Sequence, residues 1–116
     1  MARDRLRLEQ LLERVGGDLS FLAEMTRVLL EDLPEVIRGV ESALLSGELE
    51  QLENNAHKLK GSLYAFGLDQ LAQSALALEL MGRERRVGPG AEELLADLKR
   101  DLDLLAPDLQ ALAARK

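Results

Sequence analysis

Leucine and alanine return every three or four residues along almost the whole of this chain, and no segment sustains an alternation with a period of two. That rhythm stacks apolar side chains on one face of a helix, so the sequence predicts an all-α fold. Valine and isoleucine are few, and the aromatic residues are Phe21, Tyr64 and Phe66. The core is therefore expected to consist of leucine and alanine rather than the β-branched residues that suit a pleated surface.

Glycines divide the rhythm into segments. Leu8, Leu11, Leu12 and Val15 share one helical face and end at Gly16-Gly17, where a left-handed C-cap is easiest for glycine. Asp18 is a candidate N-cap for a long segment with Leu22, Leu29, Leu33, Ile37, Val40 and Leu44, ending near Ser46-Gly47. Pro34 inside this segment predicts a kink or break around Leu33, with Asp32 available to cap a second piece. The third segment is the most regular, with Leu49, Leu52, Ala56, Leu59, Leu63 and Phe66 in steps of three and four. Gly67 closes it, and Leu68, Leu71, Ala75 and Leu78 open a fourth. Arg83, Arg85 and Arg86 suit the end of that helix, before the breaker run Val87-Gly88-Pro89-Gly90. A last helix carries Leu94, Leu98, Leu102, Leu105, Leu109 and Leu112, with Pro107 threatening a kink or an early end. Short connections favour antiparallel neighbours, so the expected architecture is an antiparallel four-helix bundle with a short N-terminal capping helix. A chain of 116 residues is expected to form a single domain over residues 1–116.

Composition excludes several functions. Fifteen Lys and Arg against twenty-one Asp and Glu leave a net charge of −6, which disfavours nucleic acid, a polyanion bound largely through cations. No run approaches the roughly 20 apolar residues of a membrane span. The charged start at Met1-Ala2-Arg3-Asp4-Arg5 does not resemble a secretory signal. Without cysteine there is neither disulfide nor thiolate site, and the expected location is cytoplasmic. One histidine and no calcium-loop spacing argue against a metal site. A Ser-His-Asp hydrolase lacks its nucleophile elbow, since Gly61-Ser62-Leu63 is not one, and no phosphate-cradling loop ends in Lys-Ser or Lys-Thr.

Chemistry concentrates on the single histidine, His57. It falls about 100° from Ala56 on the third helix and so lies off the leucine stripe. Residues three, four and seven away share its face, including Glu50, Glu53, Asn54, Lys60, Gly61 and Tyr64. Glycine within a helix costs about 1 kcal/mol relative to alanine, so Gly61 needs a reason. Space beside the imidazole is one, and close approach of a neighbouring helix is another. A neutral imidazole offers a nucleophilic ring nitrogen, and phosphorus is the electrophile that fits. Lys60 can neutralise a phosphoryl group there, with Lys58 adding longer-range positive potential.

His57, Lys58, Leu59, Lys60 and Gly61, followed six positions on by Gly67, resemble the signature of the histidine-containing phosphotransfer (HPt) family. The likeness extends forward to Leu71, Leu78 and Glu79 and back to Gly16-Gly17-Asp18, covering most of the chain. Leu63, Tyr64 and Phe66 depart from the small residues common after the glycine, and Pro34 departs from a usually smooth helix. The resemblance implies a helical bundle whose histidine projects into solvent and accepts a phosphoryl group from a receiver-domain phosphoaspartate or a histidine kinase. It then passes the group to another receiver aspartate. On this reading His57 is the phosphorylated nucleophile, Lys60 stabilises the phosphoryl charge and Gly61 leaves room, with Lys58 and Gly67 in support. Glu53, Asn54 and Tyr64 form a docking rim. The chain is then a carrier without catalytic machinery, expected to be monomeric and to bind no cofactor, with Mg²⁺ supplied on the receiver. The alternative is a helical adaptor that binds a protein partner without phosphoryl transfer.

Overall fold

A computed structural model describes residues 4–115; the first three residues of the charged start and the last residue of the chain lie outside the described part. Five helices follow in order: α1 (Leu8–Arg14), α2 (Leu19–Ser46), α3 (Leu49–Ala65), α4 (Asp69–Arg83) and α5 (Ala91–Ala113). No strand occurs among the described residues, as the three-to-four spacing requires. The helix α2 packs on α3 and α5, α4 packs on α3 and α5, and α1 rests on α2. Their facing stripes merge into one cluster in which Leu52, Leu59, Leu63, Leu68, Leu71, Leu78 and Leu98 are wholly enclosed.

The boundaries have local causes. Gly16 and Gly17 are both left-handed, with φ of 66° and 81°, and terminate α1. The Asp18 carboxylate accepts from the Phe21 amide at 3.0 Å, capping α2, and Gly47 at φ 74° ends that helix. After α3 the amide of Gly67, φ 71°, donates to Tyr64 O, and that of Leu68 donates to Leu63 O, both at 3.0 Å. This Schellman pairing turns the chain into α4 and buries Leu68 beside Leu63.

The prolines break neither helix. Pro34 and Pro107 lie within continuous α2 and α5, contrary to a break near Leu33 or an early end of the last helix, and Asp32 caps nothing. Both prolines stand on the exposed side, where the carbonyl deprived of a donor can be hydrated, while Leu33 and Leu105 beside them anchor the opposite side in the core. Packing of the apolar stripe outweighs the local penalty.

Long-range caps tie one end of the molecule together. Asp4 accepts from the amides of Gln70 and Leu71 at the start of α4, at 3.3 and 2.7 Å. The Arg14 guanidinium donates to Tyr64 O and Ala65 O at the end of α3, and that of Arg27 to Ala113 O at the end of α5. Anion at helix start and cation at helix end both oppose the local dipole charge.

Arg85 ends α4 with φ 55°, the only left-handed residue other than glycine among those described. A side chain in that region is strained by roughly 1 kcal/mol. Arg85→Gly is therefore expected to raise stability by up to about 1 kcal/mol, read as a higher urea midpoint with an unchanged slope.

Candidate functional site

Midway along α3 the apolar stripe Leu52, Ala56, Leu59 and Leu63 turns inward and carries His57 outward, with 65% of its side chain exposed. The imidazole is anchored from below. Its Nδ1 lies 3.0 Å from Oε2 of Glu79 on α4, a carboxylate only 1% exposed. An ionised carboxylate can only accept, so Nδ1 carries the proton, and in the neutral ring Nε2 is left with its lone pair.

Glu79 is the centre of the site. Lys60, one turn beyond His57, brings Nζ to 2.8 Å from Oε1, in an ion pair whose geometry falls short of an aligned hydrogen bond. Arg83, one turn along α4, donates from a terminal guanidinium nitrogen to Oε2 at 2.7 Å and from Nε to Glu53 Oε2 at 2.8 Å. Burial pulls the Glu79 carboxyl upward, but the Lys60 ammonium and the His57 ring together hold it below its ordinary 4.5. Such a group stabilises the fold fully above its unfolded value and stops doing so as pH falls through the lower, folded one. Below about pH 4.5 the wild-type thermal midpoint should therefore fall more steeply than that of Glu79→Gln, whose amide does not titrate. Parallel curves for the two proteins between pH 6 and pH 3 would contradict this.

The structure brings together His57, Lys60 and Gly61. A Cβ built on Gly61 meets nothing within 4 Å, so the glycine borders open space and does not serve close helix packing. Lys58 is exposed and makes no ion pair among the described residues. Asn54 and Tyr64 are exposed on the same side of α3, whereas Glu53 is turned toward Arg83 and partly covered. Gly67 shapes the end of α3 and is remote from the imidazole along the helix. Among the described residues no group of three or more histidine, cysteine or carboxylate side chains could hold a metal ion.

Two features escaped sequence reasoning. Arg83 reads as a complement to the helix end, yet it turns back along α4 onto Glu79 and across to Glu53. Glu79 itself sits beside Leu78 and four residues after Ala75, on the stripe that the leucines mark as buried. A carboxylate at a core position of an amphipathic helix must find cations there, and that was the available signal.

The surroundings lack any helix long and apolar enough to cross a membrane, among the described residues. No curated protein and no solved structure matches the chain. A family model does: that of the Hpt domain, over residues 24–114, which takes in most of α2 and all of α3, α4 and α5. The chain belongs to the Hpt domain family, the phosphocarrier modules of two-component signalling.

Proposed function

We propose that this protein accepts a phosphoryl group on Nε2 of His57 and relays it between receiver-domain aspartates, or from a histidine kinase to a receiver. The observation that carries the reading is an exposed imidazole whose Nδ1 is held at 3.0 Å by a buried carboxylate, leaving Nε2 as the outward nucleophile. In the transfer the Nε2 lone pair forms a bond to phosphorus. The bond from phosphorus to the aspartyl oxygen breaks, and its electron pair leaves on the receiver's carboxylate. Nδ1 keeps its proton throughout, and the Glu79 carboxylate opposes the positive charge that the ring acquires. Reversal of these steps delivers the group to a second receiver. The receiver brings the Mg²⁺ that neutralises the phosphoryl oxygens, and this chain brings orientation and open space at Gly61.

The test is incubation with a receiver domain charged by acetyl phosphate and Mg²⁺, followed by mass analysis before and after acid treatment. Acid-labile phosphate on this chain, dischargeable to an unphosphorylated receiver, supports relay. Absence of uptake from charged receivers and from histidine kinase domains overturns it. The binding-only alternative then gains ground, since it requires no covalent change in the protein.

A further inference from the structure

Glu79 holds two cations where one would neutralise it. Its Oε1 contacts Lys60 Nζ at 2.8 Å, while Oε2 is shared between His57 Nδ1 at 3.0 Å and Arg83 at 2.7 Å. Arg83 is also bound by Glu53, so its planar guanidinium spans carboxylates of two helices. The two carboxylates and two cations sum to zero with a neutral ring. A phosphoryl group on Nε2 adds roughly two negative charges and upsets that balance.

The two cations are not equivalent. Lys60 carries its ammonium on a flexible stem from the same helix as His57, and although its side chain is more covered than that of Arg83, 21% exposed against 54%, its only ion pair among the described residues is with Glu79. Arg83 is fixed at both ends of its fork by Glu79 and Glu53. If Lys60 turns to the phosphoryl oxygens, Arg83 is the charge that stays. Without it, a buried carboxylate beside a new anion would keep only the ring N–H for company and would take up a proton.

We propose that Arg83 is a positioning residue for phosphoryl transfer, keeping the Glu79 carboxylate ionised and aimed at Nδ1 while Lys60 exchanges Glu79 for the phosphoryl group. The inference rests on the carrier reading of His57. The charged groups that face Glu79 are His57 and Lys60 from α3 and Arg83 from α4, with Glu53 behind Arg83; on α5, Lys99 pairs instead with Glu41 of α2.

The test compares the wild type with Arg83→Met, which keeps an apolar stem, and Arg83→Lys, which restores charge. Phosphoryl uptake from a charged receiver is followed across pH 5 to 8, with receiver-only controls, and the ring nitrogens of His57 are followed by ¹⁵N NMR at rest. Arg83→Met is expected to slow uptake about tenfold at neutral pH, to move its acid limb to higher pH and to reduce the Nδ1–H tautomer. Arg83→Lys should recover most of each change. A folded Arg83→Met with wild-type rate and limb overturns the proposal. So does a slower rate with an unmoved limb and no recovery in Arg83→Lys, the mark of a structural role. If the wild type itself takes up no phosphate, the carrier reading fails, and the positioning role falls separately if the Arg83→Met tautomer equals that of the wild type.

Discussion

His57→Gln is expected to abolish phosphoryl uptake completely while leaving the helical fold intact. The chain contains no second imidazole, and the lone pair of a glutamine amide nitrogen is delocalised into its carbonyl, so no equivalent nucleophile remains. The side chain at this position lies largely in solvent, with the stripe Ala56 and Leu59 carrying the packing on either side. Stability should thus change by little more than the hydrogen bond to Glu79, about 1–3 kcal/mol for a bond to a buried charge. Glutamine can recover part of that by donating its own amide to the carboxylate. Mass analysis and circular dichroism on the same sample check both halves. Acid-labile phosphate on the variant at wild-type yield would contradict the assignment.

The second large effect concerns stability and comes from Gly82→Ala. A Cβ at Gly82 would stand 2.6 Å from the Glu53 amide nitrogen and 2.7 Å from the Leu49 carbonyl oxygen, both backbone atoms of α3 that cannot rotate aside. The helices must separate, and overpacking of this kind costs roughly 1–3 kcal/mol or more. Alanine's better helix propensity returns about 1 kcal/mol. Close backbone contact decides the sign, so a net loss of about 2 kcal/mol is expected, near 10 °C in thermal midpoint for a chain of this size. Because Glu53 is the residue displaced and also holds Arg83, uptake at His57 should slow as well. Gly61→Ala offers the opposite case. Its Cβ meets open space, so the folded protein should gain up to about 1 kcal/mol, while the added methyl narrows the approach to the imidazole. A Gly82→Ala midpoint at or above the wild type would refute the close-contact account.

These two glycines mark what could be read in advance and what could not. The leucine spacing located all five helices, and Asp18, Gly16-Gly17, Gly47 and Gly67 end or begin them for the local reasons that caps and left-handed turns supply. Motif and helical wheel together placed His57 outward with Lys60 and Gly61 beside it. Pro34 and Pro107 interrupt neither α2 nor α5, because a breaker signal is local, whereas the leucines that carry both helices through it act across the core. Asp4, Arg14 and Arg27 cap helices 50 or more residues away, and no local pattern names such partners. Gly82 resembles any glycine until the path of α3 is known. Glu79 belongs to both categories: its place on the apolar stripe was legible, but the convergence of Lys60, Arg83 and His57 upon it depends on how α3 packs on α4.

Phosphoryl transfer through His57 depends on which ring nitrogen is held and which is free. Long-range ¹H–¹⁵N correlation spectra of the uniformly labelled protein, before and after charging by a phosphorylated receiver, measure this directly, since a single histidine gives a single set of ring signals. The expected result is a resting Nδ1–H tautomer and, after charging, phosphorus coupled to Nε2 with Nδ1 still protonated. A resting Nε2–H tautomer, or phosphorus on Nδ1, would contradict it.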